Sequence, residues 1–228
     1  MSRAPLTRWR RAEAIAVALI IALAVVGVAL LPLTTPAYVR AVVSAVDSAE
    51  LTGLGAERTL EVAEQVLDFV TSRSAPSLPA TVDGRSGFDA AAVSHLVDVR
   101  DVLVPARAVA LLLALLAGAW IVLRMRTSAG RVLAASVLTL AGRLLLAGAV
   151  LAIVAGLLDF GSLFARFHAI FFAAGTWVFP PDALLIQVFP LPFWGVSGVM
   201  WGVTVVGCAG LMLVASSRIR FTERNNGV

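Results

Sequence analysis

Residues 132–158 read VLAASVLTLAGRLLLAGAVLAIVAGLL, twenty-seven positions with a single charge, Arg143. A helix rises about 1.5 Å per residue, and about 20 apolar residues cross the hydrocarbon of a bilayer. The stretch is long enough to span. Its apolar residues do not alternate, so it does not read as a strand of a transmembrane barrel. Backbone groups in hydrocarbon must pair within their own segment, which leaves a helix. Three further stretches meet the same test, at about 13–33, 106–123 and 195–216. Composition agrees. Hydrophobic residues make up 60% of the 228 and charged residues 14%, and the mean hydropathy is +0.94. A soluble domain of this length cannot hide that much apolar surface. The fold class is therefore all-α, a polytopic membrane protein with four transmembrane helices, read as one integral membrane domain over residues 1–228.

The first stretch invites a second reading. Arg3, Arg8, Arg10 and Arg11 followed by an apolar run resemble the start of a signal peptide. The run is longer than a usual signal core and no small-x-small cleavage site follows it, so an uncleaved span is expected. Arginine placement sets the orientation. The N-terminus carries these four arginines. The link between spans two and three carries Arg124, Arg126 and Arg131, and the tail carries Arg218, Arg220 and Arg224. In an even-span protein all three segments share one side, expected to be the cytoplasm. Residues 34–105 and 159–194 then face the other side. The larger of the two is acidic, with ten Asp and Glu against five Arg.

That larger region has helical structure of its own. Between Gly55 and Ser72 the apolar residues Leu60, Ala63, Val66, Leu67 and Val70 recur at helical spacing, and Glu57, Glu61, Glu64 and Asp68 occupy much of the other face. This predicts an amphipathic helix that packs on the membrane surface or covers the bundle. Residues 74–87 are rich in Pro, Ser and Gly and read as a loop. A second helix is expected to start near Asp89, a good N-cap, and to run through Pro105 into the second span. Residues 159–194 form an aromatic segment at the outer interface.

Few residues can carry chemistry. His95 lies three positions before Asp98, so a helix puts both on one face. The pair is either a solvated surface feature or an imidazole whose tautomer a carboxylate fixes. His168 lies among Phe167, Phe171 and Phe172, with Trp177, Phe179, Phe189, Phe193 and Trp194 following. An imidazole beside so apolar a segment is either hydrogen-bonded structurally or kept neutral as a base. Arg143, deep in a span, is costly unless it pairs or faces water. It locks packing against an acid or carbonyls, or it holds a lipid phosphate, a carbonyl or a developing charge. The sequence has no Walker A segment, nucleophile elbow or HExxH motif. The lone Cys208 excludes an intrachain disulfide and a cysteine metal cluster, and it reads as a small buried hydrophobe. Nothing has metal-ligand spacing, and no basic, aromatic-laced patch points to nucleic acid. A small transporter is disfavoured, because no paired broken helices accompany Arg143.

The run Phe167-His168-Ala169-Ile170-Phe171-Phe172, then Trp177-Val178-Phe179-Pro180, Asp182-Ala183-Leu184-Leu185-Ile186, Phe189-Pro190 and Phe193-Trp194, resembles the signature of the bacterial lipoprotein intramolecular transacylases. These are four-span integral membrane proteins of the cell membrane. The segment from His95 to Arg100 resembles that family's other marked segment. The resemblance implies transfer of an acyl chain from the glycerol sn-2 ester of a diacylated lipoprotein to the α-amino group of its N-terminal cysteine. The active site would face the extracytoplasmic leaflet. His168 and His95 would be the catalytic residues; Asp98, Arg166, Trp177 and Arg143 are read beside them, from the residues, as supporting. The oxyanion donor is left among Arg166, Trp177 and a backbone N–H. Diacylated lipoproteins and membrane lipids are the implied partners, and no cofactor or metal is required. The sequence departs from the pattern at Leu96, at Pro180-Pro181 and at Leu191-Pro192. Those departures keep a second reading open, a non-catalytic membrane protein that binds lipid or assembles a complex.

Overall fold

A computed structural model describes residues 8–225; Arg3 of the basic N-terminal cluster lies outside the described residues. The order of elements is α1 (Arg8–Val28), a 3₁₀ turn (Pro32–Thr34), α2 (Pro36–Ala45), α3 (Ser48–Thr52), α4 (Ala56–Thr71), β1 (Thr81–Val82), β2 (Arg85–Ser86), α5 (Ala90–Arg124), α6 (Ser128–Phe171), α7 (Leu184–Val188) and α8 (Leu191–Asn225). Among the described residues four helical segments are long and apolar enough to cross a membrane. Three of the long helices contain the stretches read at 106–123, 132–158 and 195–216, and the first contains most of 13–33. The first helix stops at Val28, and Pro32 opens a separate 3₁₀ turn. The other three run past the apolar stretches, because a helix continues as an amphipathic one where uniform hydropathy ends. At about 1.5 Å per residue α5 and α6 exceed the ~30 Å hydrocarbon. The stretch of α5 bearing His95, Asp98, Arg100 and Asp101, and the stretch of α6 after Asp159, lie outside the apolar stretches read from the sequence.

The chain divides into two compact units. The first comprises Met1–Ala29, Ala108–Ile153 and Gly202–Val228. Half of its core residues are alanine: Ala14, Ala18, Ala117 and Ala141 pack with Ile21, Leu133, Val137 and Leu138. Small side chains let helices approach closely where hydrocarbon supplies no hydrophobic drive between them. Polar ties join its helices. Arg124 pairs with Glu13, which also accepts from the Trp120 indole at 3.4 Å. Arg131 Nε lies 2.5 Å from Glu223, and Arg220 donates to the Ala135 carbonyl at 3.1 Å. Cys208 is half-buried rather than buried, since α8 turns that residue partly outward.

The second unit comprises Leu30–Arg107 and Val154–Trp201. Its core gathers Val39, Val42 and Val43 of α2, Val62, Ala63, Val66, Leu67, Phe69 and Val70 of α4, Phe88, and Ala92 and Leu96 of α5. Leu184, Leu185 and Val188 of α7 complete it with Phe189 and Phe193. The amphipathic reading of α4 thus holds, with Gly55 and Ser72 as its caps. Its apolar stripe faces a protein core, while Glu57, Glu61 and Asp68 are exposed. Each large side chain so buried contributes about 1.5–3 kcal/mol relative to exposure. Polar groups inside this core are partnered. Ser48 donates to the Val188 carbonyl at 3.0 Å, and Thr52 and Thr59 share a 2.7 Å hydroxyl bond.

Residues 74–87 are not wholly a loop. Thr81–Val82 pairs antiparallel with Arg85–Ser86 across Asp83-Gly84. Both turn residues have positive φ, +49° and +75°, the requirement of a two-residue hairpin turn that Asp-Gly meets best. The chain then returns to α5 through a tight contact. Gly87 and Phe88 donate to the carbonyls of Ala80 and Pro79 at 2.9 and 3.0 Å. A Cβ on Gly87 would lie 2.5 Å from the Pro79 oxygen. Gly87→Ala is therefore expected to cost about 1–3 kcal/mol and to lower the Tm of the detergent-solubilised protein by several degrees. Gly118→Ala in α5, where nothing lies within 4 Å of the added carbon, leaves it unchanged. Equal melting temperatures for the two variants would contradict the packing described.

Candidate active site

Two helix ends present the histidines. Asp89 opens α5 as expected, its Oδ1 accepting the Ala92 N–H at 2.7 Å. Two turns later His95 points inward beside Leu96, and both are buried. In α6 the helix breaks at Asp159, whose φ and ψ are −161° and 93°. The Asp159 carboxylate caps the following segment by accepting the Ser162 N–H at 2.9 Å and its hydroxyl at 2.5 Å. Those bonds hold the carboxylate pKa below its ordinary value. His168 follows, flanked one turn on either side by Phe164 and Phe172, at ring-centroid distances of 4.0 and 5.7 Å. A turn closed by Thr176 N–H to the Ala173 carbonyl at 3.2 Å, with Gly175 at φ +84°, folds the chain back. Trp177 then lies against His168 at 4.9 Å, and Phe179 against His95 at 5.7 Å.

The two imidazoles meet. Their centroids are 6.3 Å apart with a 33° interplanar angle. Only 7% of His95 and 9% of His168 is exposed. His168 Nδ1 lies 2.9 Å from the Phe164 carbonyl. A carbonyl only accepts, so Nδ1 carries the proton and the lone pair of the neutral ring sits on Nε2. Burial among aromatic rings pushes the His168 pKa below its ordinary value, with the Phe164 bond opposing. Burial also lowers that of His95, His168 adds to the shift and Asp98 opposes it. Both rings are thereby held neutral near pH 7.

The supporting residues divide. Trp177 joins the cluster. Asp98 does not hold His95: it is exposed, and His95 Nδ1 is buried with no hydrogen-bond partner among the described residues. The helix turns the imidazole inward and the carboxylate outward, so Asp98 acts through charge alone. Arg166 is exposed too, and its charge acts on Asp159. Arg143 belongs to the first unit, is exposed, and has no ion pair among the described residues. Of its two readings, the packing lock is not formed among the described residues. Phe164 was not singled out by the sequence reading, although its position four residues before His168 on one helix was the available signal.

A family model described as lipoprotein intramolecular transacylase Lit matches residues 13–194. No curated protein matches the chain significantly. Among solved structures, the in meso structure of the membrane-integral transacylase Lit from Bacillus cereus superposes with a TM-score of 0.77 at 15% identity. It covers 95% of this chain and 98% of that one. A variant of that protein with a histidine changed to arginine gives 0.68 at 15% identity, over 96% and 95% of the two chains. At that identity the superposition speaks for the fold; the family model speaks for kinship. With its match spanning most of the sequence and the four-helix fold in agreement, the chain belongs to the lipoprotein intramolecular transacylase family of membrane acyltransferases.

Proposed function

We propose that His168 and His95 carry the acyl transfer, and that the substrate is a diacylated lipoprotein held at the outer leaflet with both termini of the enzyme in the cytoplasm. The observation that carries this reading is the bond from His168 Nδ1–H to the Phe164 carbonyl, made by a ring that burial keeps neutral and that lies beside a second buried imidazole. It leaves Nε2 as a free base.

The chemistry follows from that nitrogen. The α-amino group of the N-terminal cysteine attacks the sn-2 ester carbonyl. A carbon–nitrogen bond forms, the π pair moves to oxygen, and His168 Nε2 takes the proton that the nitrogen sheds. The tetrahedral species collapses by breaking the bond to the glycerol oxygen. His168 hands the proton it took to His95 as His95 gives its own to that leaving oxygen, so the amine proton has in net moved to the glycerol and both imidazoles end neutral. The products are a lyso glycerol and an N-acyl cysteine. Ester and amine belong to one molecule, so holding them together supplies much of the rate enhancement as orientation. The apolar surroundings of Phe164, Phe172 and Phe179 suit acyl chains and keep bulk water from the ester.

Expression in a bacterium whose lipoproteins are only diacylated, followed by mass spectrometry of their N-terminal lipopeptides, tests the proposal. A lyso-form acylated on nitrogen is expected. It falls by about 10²–10⁴ in rate with His168→Ala or His95→Ala and changes little with Asp98→Asn. An unchanged diacyl spectrum from well-inserted protein would sink the proposal.

The pH dependence follows from the direction of the histidine shifts. A base whose pKa is lowered stays unprotonated to more acidic pH than the free side chain, so the imidazoles do not set the acid limb. The acceptor amine does, with a pKa of about 7.7–8.0. On acidification kcat/KM is expected to fall with that ionisation, and the limb moves down in pH when a less basic amine is supplied. A limb fixed near pH 6.5 for every acceptor would show instead an imidazole of ordinary pKa.

A further inference from the structure

Attack on an ester places a negative charge on the former carbonyl oxygen, and an apolar site must supply a donor for it. The side-chain candidates can be sorted by geometry. Arg166 is exposed and has no ring or hydrogen-bond contact with either histidine. Four buried side-chain N or O atoms lack a hydrogen-bond partner among the described residues: Arg58 Nε, His95 Nδ1, Arg100 Nε and Trp177 Nε1. The two guanidinium nitrogens are otherwise accounted for. Arg58 Nε lies 3.3 Å from an Asp83 oxygen in an ion pair, and the Arg100 guanidinium sits over the Phe69 ring at 4.9 Å. The remaining two atoms belong to residues that flank one ring, His168.

An indole N–H donates and never accepts. Left buried without a partner it costs about 1–3 kcal/mol, a cost recovered when an acceptor arrives. Trp177 and His168 lie at a 34° angle. An amine held about 3 Å from His168 Nε2 puts the carbon it attacks, and that carbon's oxygen, beside the rings packed on His168. Resting on the assignment of His168 as base, we infer that the Trp177 indole N–H is the oxyanion donor of the transfer, a catalytic residue in its own right.

Trp177→Phe keeps an aromatic ring against His168 and removes only the donor side of the indole. The expected result is a kcat lower by about 10²–10³, with KM for the diacyl lipopeptide changed less than about threefold, because a ground-state ester oxygen needs the donor far less than the oxyanion does. A phosphonate analogue of the glycerol ester, which carries a charged oxygen where the oxyanion forms, is expected to lose affinity by a comparable factor. Thermal unfolding of the variant in detergent shows whether it is folded, and the phosphonate comparison reads the donor without turnover. A kcat within about fivefold of the parent, or full phosphonate affinity in the folded variant, would overturn the inference. If His168→Ala abolishes transfer and Trp177→Phe does not, the inference alone fails. If neither substitution matters, the assignment of the base fails with it.

Discussion

Hydrocarbon offers the backbone no hydrogen-bond partner, so each spanning segment must satisfy its own N–H and C=O groups. That constraint orders the rest of this molecule. It explains why the apolar stretches are helices over nearly all their length and why most of the irregular backbone collects elsewhere. The hairpin at residues 81–86, the break at Asp159 and the turn at 173–176 all fall in the second unit. Irregular backbone is what lets a chain present side chains from unlike directions. Trp177 and Phe179 reach the histidines only because the chain leaves the helix after Phe171.

Within the second unit the physics resembles that of a soluble domain. Its core contains Val, Leu and Phe from five helices, and its buried hydroxyls are paired. The histidines lie at the margin of this core, where burial is deep enough to keep an imidazole neutral and one ring nitrogen is tied to the backbone. Two effects compete at His95. Asp98 favours the charged ring, and burial with the neighbouring His168 disfavours it. Burial is the largest, and the exposure of Asp98 explains why: a solvated carboxylate is screened, whereas the imidazole has lost most of its water.

Much of this was legible in the sequence. The spans, the α4 stripe, the Asp89 cap and the two histidines each rest on local patterns, and the motif around His168 led to the family. The remainder depends on tertiary detail. The Asp83-Gly84 hairpin carried a turn signal that the Pro, Ser and Gly content of its surroundings obscured. The break at Asp159 came at the junction of an apolar run with a polar residue, which reads equally well as the end of a span. Of the two readings of the Asp98–His95 pair the held imidazole is not formed, because an i, i+3 spacing permits a contact without requiring it. The rings that His95 turns toward, Phe172 and Phe179, lie far along the chain. A lock was one of two readings of Arg143, because a charge in an apolar run demands an explanation and sequence spacing does not show whether a partner stands opposite.

The bond from Ser48 to the Val188 carbonyl joins residues 140 positions apart, and this has a consequence for biosynthesis. A ribosome delivers α2, α4 and the start of α5 long before α7. Until residues 184–193 emerge, the apolar stripe of α4 lacks part of its cover, and until residues 164–179 emerge His95 has none of its aromatic neighbours. The nascent first half is therefore a species with exposed hydrophobic surface, waiting through the insertion of a further span. Quality control that recognises such surface would meet this enzyme mid-synthesis, and the activity would exist only once the last helices had been threaded.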